Sequence, residues 1–198
     1  MSRFLRRAIP ILLVAGHVWA YVPRRLPTPS GMAFEKWSDS AFPITWRLNT
    51  AAGSSITGTR TLLETARAAF TSWSSIPTAK VSFTEGPPAA ASAAALDGAN
   101  VVAVSQTALT SGAVSVTVIY SYSATGNDPL GRAIAFPGQI LEADILLNPN
   151  VAFSTEVNAA TGRVHLESQL RHEIGHFLGL DARRKFLPCA RRRPPKFT

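Results

Sequence analysis

The sequence predicts one mixed α/β (α+β) sheet domain, and three observations carry that prediction. Apolar and polar residues alternate in 42–49 and 114–123, the period of a strand with two unlike faces. Apolar residues recur at three and four in 62–73 and again in 166–178, the period of a helix packed along one side. The order strand, helix, several strands, final helix then describes a single layered unit, with no internal repeat. A chain of 198 residues, 46% hydrophobic and 16% charged, has the length and the apolar content for one such core. A disordered chain would be poorer in Val, Ile, Leu and Phe.

The elements follow in chain order. Residues 1–20 read as a secretory signal. Arg3, Arg6 and Arg7 lead it, Ala8 to Val18 form a short apolar stretch, and Val18-Trp19-Ala20 offers the cleavage site. His17 lies inside this segment and plays no part in a site. Residues 21–41, with Pro23, Pro27 and Pro29, read as an irregular leader. The first strand is Phe42 to Asn49, with Ile44, Trp46 and Leu48 on its buried side. A helix is expected over about 58–75, where Leu62, Leu63, Ala66, Ala69, Phe70 and Trp73 share a face and Thr61 with Glu64 forms a capping box. Val81 and Phe83 mark a short strand, and the Pro- and Ala-rich stretch 87–96 a surface loop. Asn100 to Ser105 reads as a buried strand. In 114–123, Val114, Val116, Val118, Tyr120 and Tyr122 alternate with mostly Ser and Thr. Gly126-Asn127-Asp128-Pro129 turns the chain, and Ile134–Phe136 and Ile140–Leu147 give two more short strands.

Charge and cysteine narrow the function. The net charge is +8, but its excess sits at the ends. Residues 1–25 hold five arginines and no acid, and residues 182–198 hold seven basic residues and no acid. Between them, eight basic residues face all twelve acids, so the folded part is mildly acidic at −4. That argues against a nucleic-acid surface built by the fold. No run of 18 apolar residues is present, so no ordinary membrane-spanning helix is expected. One cysteine, Cys189, excludes an intrachain disulfide framework and a cysteine-based zinc ribbon.

The chemistry is concentrated in Arg171-His172-Glu173-Ile174-Gly175-His176-Phe177-Leu178-Gly179-Leu180-Asp181. Two histidines four apart share one side of a helix, where both imidazoles reach a single zinc ion. The glutamate between them serves as general base for a zinc-activated water. A chain of this composition yields His-Glu-x-x-His by chance about once in 350, and about once in 5,000 with the following glycine at +3. With His172 at zero on the helix wheel, His176 falls near 40° at about 100° per residue. Leu166, Leu170, Ile174, Phe177 and Leu178 fall between about 120° and 240°, so the apolar side anchors the helix and the histidines face a cleft. Gly179 is a natural helix stop. His165 lies about 10 Å before His172 along the axis and belongs at the helix start.

His-Glu-Ile-Gly-His-Phe-Leu-Gly-Leu resembles the zinc helix of the metzincin metallopeptidases, specifically the matrixin branch. The preceding order of strand, long helix and strands, ending in Ala143-Asp-Ile-Leu-Leu-Asn148, is similar too. The resemblance implies a metzincin-like mixed twisted sheet with one long early helix and a zinc-binding helix. It also implies a secreted or periplasmic, monomeric zinc endopeptidase that takes protein or peptide substrate along a sheet edge, with Glu173 as base. On this reading 42–181 is the catalytic domain. The family motif continues to a third histidine and a methionine turn. Here Ala182 stands in the histidine's place, the only methionines are Met1 and Met32, and the C-terminal subdomain is missing. Asp181 is a weak candidate for the third ligand, and Cys189 a weaker one. A structural calcium through Asp144 or backbone carbonyls is not readable from the sequence. Residues 182–198 lack periodicity and break abruptly in composition, which points to a shifted reading frame after Asp181. The other reading is a cationic tail docking a non-catalytic exported binding protein on an anionic partner.

Overall fold

The computed structural model describes residues 21–51, 56–109, 112–157 and 162–182. The predicted signal peptide 1–20 and tail residues 183–198, Cys189 among them, lie outside the described residues. Its strands and helices are, in chain order, β1 (Tyr21–Pro23), β2 (Arg25–Thr28), β3 (Gly31–Phe34), β4 (Lys36–Trp37), a 3-10 turn (Asp39–Ala41), β5 (Ile44–Leu48), β6 (Ile56–Thr57) and α1 (Leu62–Ser74). There follow β7 (Phe83–Glu85), β8 (Asn100–Val104), β9 (Ser115–Ser121), β10 (Gly126–Asn127), β11 (Ala133–Ile134) and β12 (Gln139–Leu147). The chain then runs through β13 (Phe153–Ser154), β14 (Val164–His165), α2 (Leu166–Phe177) and β15 (Leu180–Ala182). The architecture is mixed α/β, with a largely parallel sheet and two helices among the described residues.

The main sheet runs β9-β12-β8-β5-β7. β12, β8, β5 and β7 are parallel, β9 is antiparallel to β12, and β4 lies parallel to the start of β12. Side-chain alternation sends Ile44, Trp46 and Leu48 of β5, Val102 and Val104 of β8, and Ala143, Ile145 and Leu147 of β12 to one face. Both helices cover that face. α1 contributes Ala66, Ala69 and Phe70, and α2 contributes Leu166, Leu170, Ile174 and Phe177. Trp46 stacks on Phe70 with ring centroids 4.4 Å apart, and Phe70 meets Phe177 edge-on. The opposite face carries Val101, Ala103 and Leu146, covered by Ala89, Ala91 and Ala94 of the expected surface loop. Coverage on both sides explains why β8 reads as an unbroken apolar run rather than an alternating one.

Local signals are reproduced where they are strong. The Thr61 side chain accepts from the Glu64 N–H, and the Glu64 carboxylate accepts from the Thr61 N–H, closing the expected capping box at the start of α1. The turn after Gly126 joins β10 to β11, with the Asp128 carboxylate accepting from the N–H groups of Leu130 and Arg132. No described helix is long and apolar enough to cross a membrane.

The leader is different from its expectation. Residues 21–41 are not irregular. β2 and β3 form a hairpin, β1 pairs antiparallel with β15, and β4 joins the main sheet. Trp37 enters the core, stacks on Phe177, and donates its indole N–H to the Phe177 carbonyl at 2.7 Å. That carbonyl is one of the last of α2, which no helical N–H can reach. Prolines obscure this segment because each removes a donor locally, while its strands are completed by partners far along the chain. Ala182, where the tail was expected to begin, is still paired in β15, opposite Tyr21.

Candidate metal centre

His165 stands just before α2, at the helix start where its spacing from His172 put it. Its backbone takes the N-cap position, and Nδ1 accepts from the Ser168 N–H. Leu166, Leu170, Ile174 and Phe177 are buried beneath the helix. His172 and His176 lie half-buried on its other side and line a cleft of about 420 Å³ together with Arg24, Ser115, Thr117 and Glu173. The helix ends at Phe177 with Leu178 as its C-cap, and Gly179 follows at φ +85°. An alanine Cβ there would stand 2.2 Å from the Glu35 carbonyl oxygen, so the leader crosses directly over the helix end.

The two histidines converge. Their Nε2 atoms are 3.0 Å apart and their rings nearly perpendicular. His176 Nδ1 lies 2.8 Å from the Leu180 carbonyl oxygen. A carbonyl can only accept, so Nδ1 carries the proton and Nε2 presents its lone pair toward His172. Burial first, and the neighbouring His176 second, hold the His172 imidazole below its ordinary pKa, against an opposing pull from Glu173. That shift favours the neutral imidazole, the form that ligates metals. With Zn–N bonds of about 2.0–2.1 Å, one zinc ion can take both Nε2 atoms at this separation.

The third ligand is not assembled. Asp181 lines the same cleft, its backbone opposite Val22 in the β1–β15 pair. Yet among the described residues no three His, Cys, Asp or Glu side chains gather as a metal-holding group. Asp144 sits on the far side of β12 from the helices, where its carboxylate accepts from the N–H groups of Val101 and Ala95. Burial pushes that carboxyl up to about 6, with the two N–H bonds opposing.

Glu173 is only 3% exposed, and the described donors to its carboxylate are all neutral. Oε1 accepts from the Ser115 hydroxyl at 2.6 Å and from the Gln169 amide at 3.1 Å, and Oε2 accepts from the Thr117 hydroxyl at 2.6 Å. None of these partners was singled out from sequence. Two signals were present: Ser115 and Thr117 share one side of the alternating strand, and Gln169 stands one helical turn before Glu173. β9 turns that polar side toward α2. Ser115 and Thr117 meet Glu173, Ile119 packs on the core, and Ser121 donates to the Glu35 carboxylate. Arg24, also unforeseen, reaches Glu35 through Nε at 2.8 Å beside the cleft.

No protein-family model, curated protein or solved structure matches this chain.

Proposed function

We propose that this chain is an exported zinc-dependent endopeptidase of the metzincin type, closest in its motif to the matrixin branch. The observation that carries the reading is the meeting of His172 Nε2 and His176 Nε2 at 3.0 Å, with the His176 tautomer fixed by Leu180 and a buried carboxylate one residue from the first histidine. The surroundings support it. The cleft is bounded by β9, which pairs with β12 along one edge and with no described strand along the other. Such an edge offers N–H and C=O groups to an extended peptide.

His172 and His176 would hold the zinc. When bound, the metal supplies a Lewis acid that polarises a peptide carbonyl and acidifies the attacking water. Glu173 accepts the proton of that water and returns it to the leaving amine. β9 binds the substrate backbone and keeps it extended beside Glu173. Among the described residues two histidines leave the site one protein ligand short, so the expected affinity for zinc is weak and the turnover slow.

The test is zinc titration by calorimetry with hydrolysis of a quenched fluorescent peptide, on the full chain and three variants. Expected are weak uptake of one zinc and slow hydrolysis by the unaltered chain. Glu173→Gln keeps the metal and loses the hydrolysis, while His172→Ala and His176→Ala lose both. Zinc uptake untouched by either histidine change, or hydrolysis untouched by Glu173→Gln, overturns the proposal.

A further inference from the structure

Glu173 poses a physical problem that its partners solve. An ionised carboxylate buried to this degree is costly unless its oxygens are hydrogen-bonded, and among the described residues its side-chain donors are all neutral. Three neutral donors do the work as one unit. The Gln169 amide donates to the Ser115 hydroxyl at 2.7 Å as well as to Glu173 Oε1, and Ser115 passes its own proton to the same oxygen. Thr117 Oγ1 lies within reach of both the Glu173 carbonyl and Oε2. Having one proton, it serves the shorter contact, 2.6 Å against 3.1 Å. A carboxylate offers about four lone-pair sites. The described donors take three, which leaves one on Oε2.

We infer that Ser115, Thr117 and Gln169 are positioning residues for Glu173, fixing its carboxylate to β9 with a single acceptor site left for the proton it must take. This rests on the peptidase reading above. It goes beyond that reading because it makes β9 serve two ends at once. The strand whose outer edge pairs with the peptide also carries, on its inner side, the hydroxyls that set the base. Three consecutive residues, Ser115 to Thr117, then link peptide docking to the alignment of Glu173. Since the hydroxyls face α2 rather than the outer edge, their loss is felt in the chemical step and not in peptide binding.

The experiment uses the full zinc-loaded chain and the same fluorescent peptide, with Thr117→Val, Thr117→Ser and Ser115→Ala. Thr117→Val keeps the shape and removes the donor. Expected is a fall in kcat on the order of tenfold, with KM within about twofold, and recovery in Thr117→Ser. A kcat unchanged in Thr117→Val, or a rise in KM alone, overturns the inference. A second readout needs no activity: urea unfolding of Thr117→Val, Glu173→Gln and the double variant. If the contact is real, the double variant unfolds at least about threefold less readily than the two single effects combined require. Strict additivity overturns the inference. The two readings fail differently. If the unaltered chain hydrolyses peptide and Thr117→Val equals it, the positioning role falls and the peptidase stands. If the unaltered chain hydrolyses nothing while the unfolding cycle shows coupling, the peptidase reading falls and takes the positioning role with it.

Discussion

Gly179→Ala tests the contact that ties the leader to the end of α2. Gly179 has φ +85°, and a Cβ built on it stands 2.2 Å from the Glu35 carbonyl oxygen, 3.0 Å from its carbon and 3.2 Å from Ile140 Cδ1. Two costs follow. An L-residue in the left-handed region loses about 1–2 kcal/mol. Forcing a methyl against backbone that cannot swing aside adds about 1–3 kcal/mol, as overpacking does elsewhere. The sum, about 2–5 kcal/mol, is a large share of the roughly 5–15 kcal/mol that holds a domain together. Gly131→Ala separates the two terms. Gly131 has φ +80°, but nothing lies within 4 Å of its Cβ, so it bears only the backbone cost. Urea unfolding of both variants should place Gly179→Ala below Gly131→Ala by about 1–3 kcal/mol, with equal slopes against urea. Equal destabilisation of the two would refute the reasoning. It would mean that residues 24–35 do not cross the end of α2 in solution.

Two more outcomes follow from the same face of the molecule and from its opposite face. Trp37→Phe keeps the aromatic stack on Phe177 but removes the indole N–H from the Phe177 carbonyl, which costs about 1–3 kcal/mol and lowers Tm by several degrees; an unchanged melting curve would count against the bond. Asp144, whose carboxyl is raised to about 6 by burial, holds in the folded state a proton that the unfolded chain releases near 3.8. Stability from this group is therefore full below about pH 4, falls as pH rises toward 6, and stays low above it. Melting temperatures of the unaltered chain and Asp144→Asn, compared from pH 4 to 8, should show the unaltered chain losing ground over that window. A relative gain with rising pH would refute the assignment.

What was legible in the sequence lies within single elements. The Thr61–Glu64 box starts α1 because its two hydrogen bonds span only three residues, and its apolar side follows from spacing alone. The histidine pair and Glu173 are legible for the same reason: a rigid helix sets their directions four residues apart. β5 and β8 are legible because a sheet packed beneath helices rewards apolar residues along its buried sides.

Only the tertiary structure decided the rest, because the partners are remote in sequence. Trp37 is 140 residues from the carbonyl it satisfies, and β1 finds its partner in β15 across nearly the whole domain. No local period records such pairs, so a proline-rich stretch looked shapeless until its distant partners supplied the bonds. β9 makes the point most sharply. Its alternation identifies a strand, but alternation does not say which side will be covered. The Ser/Thr side faces the helix, since a buried glutamate needs donors more than the core needs another valine there.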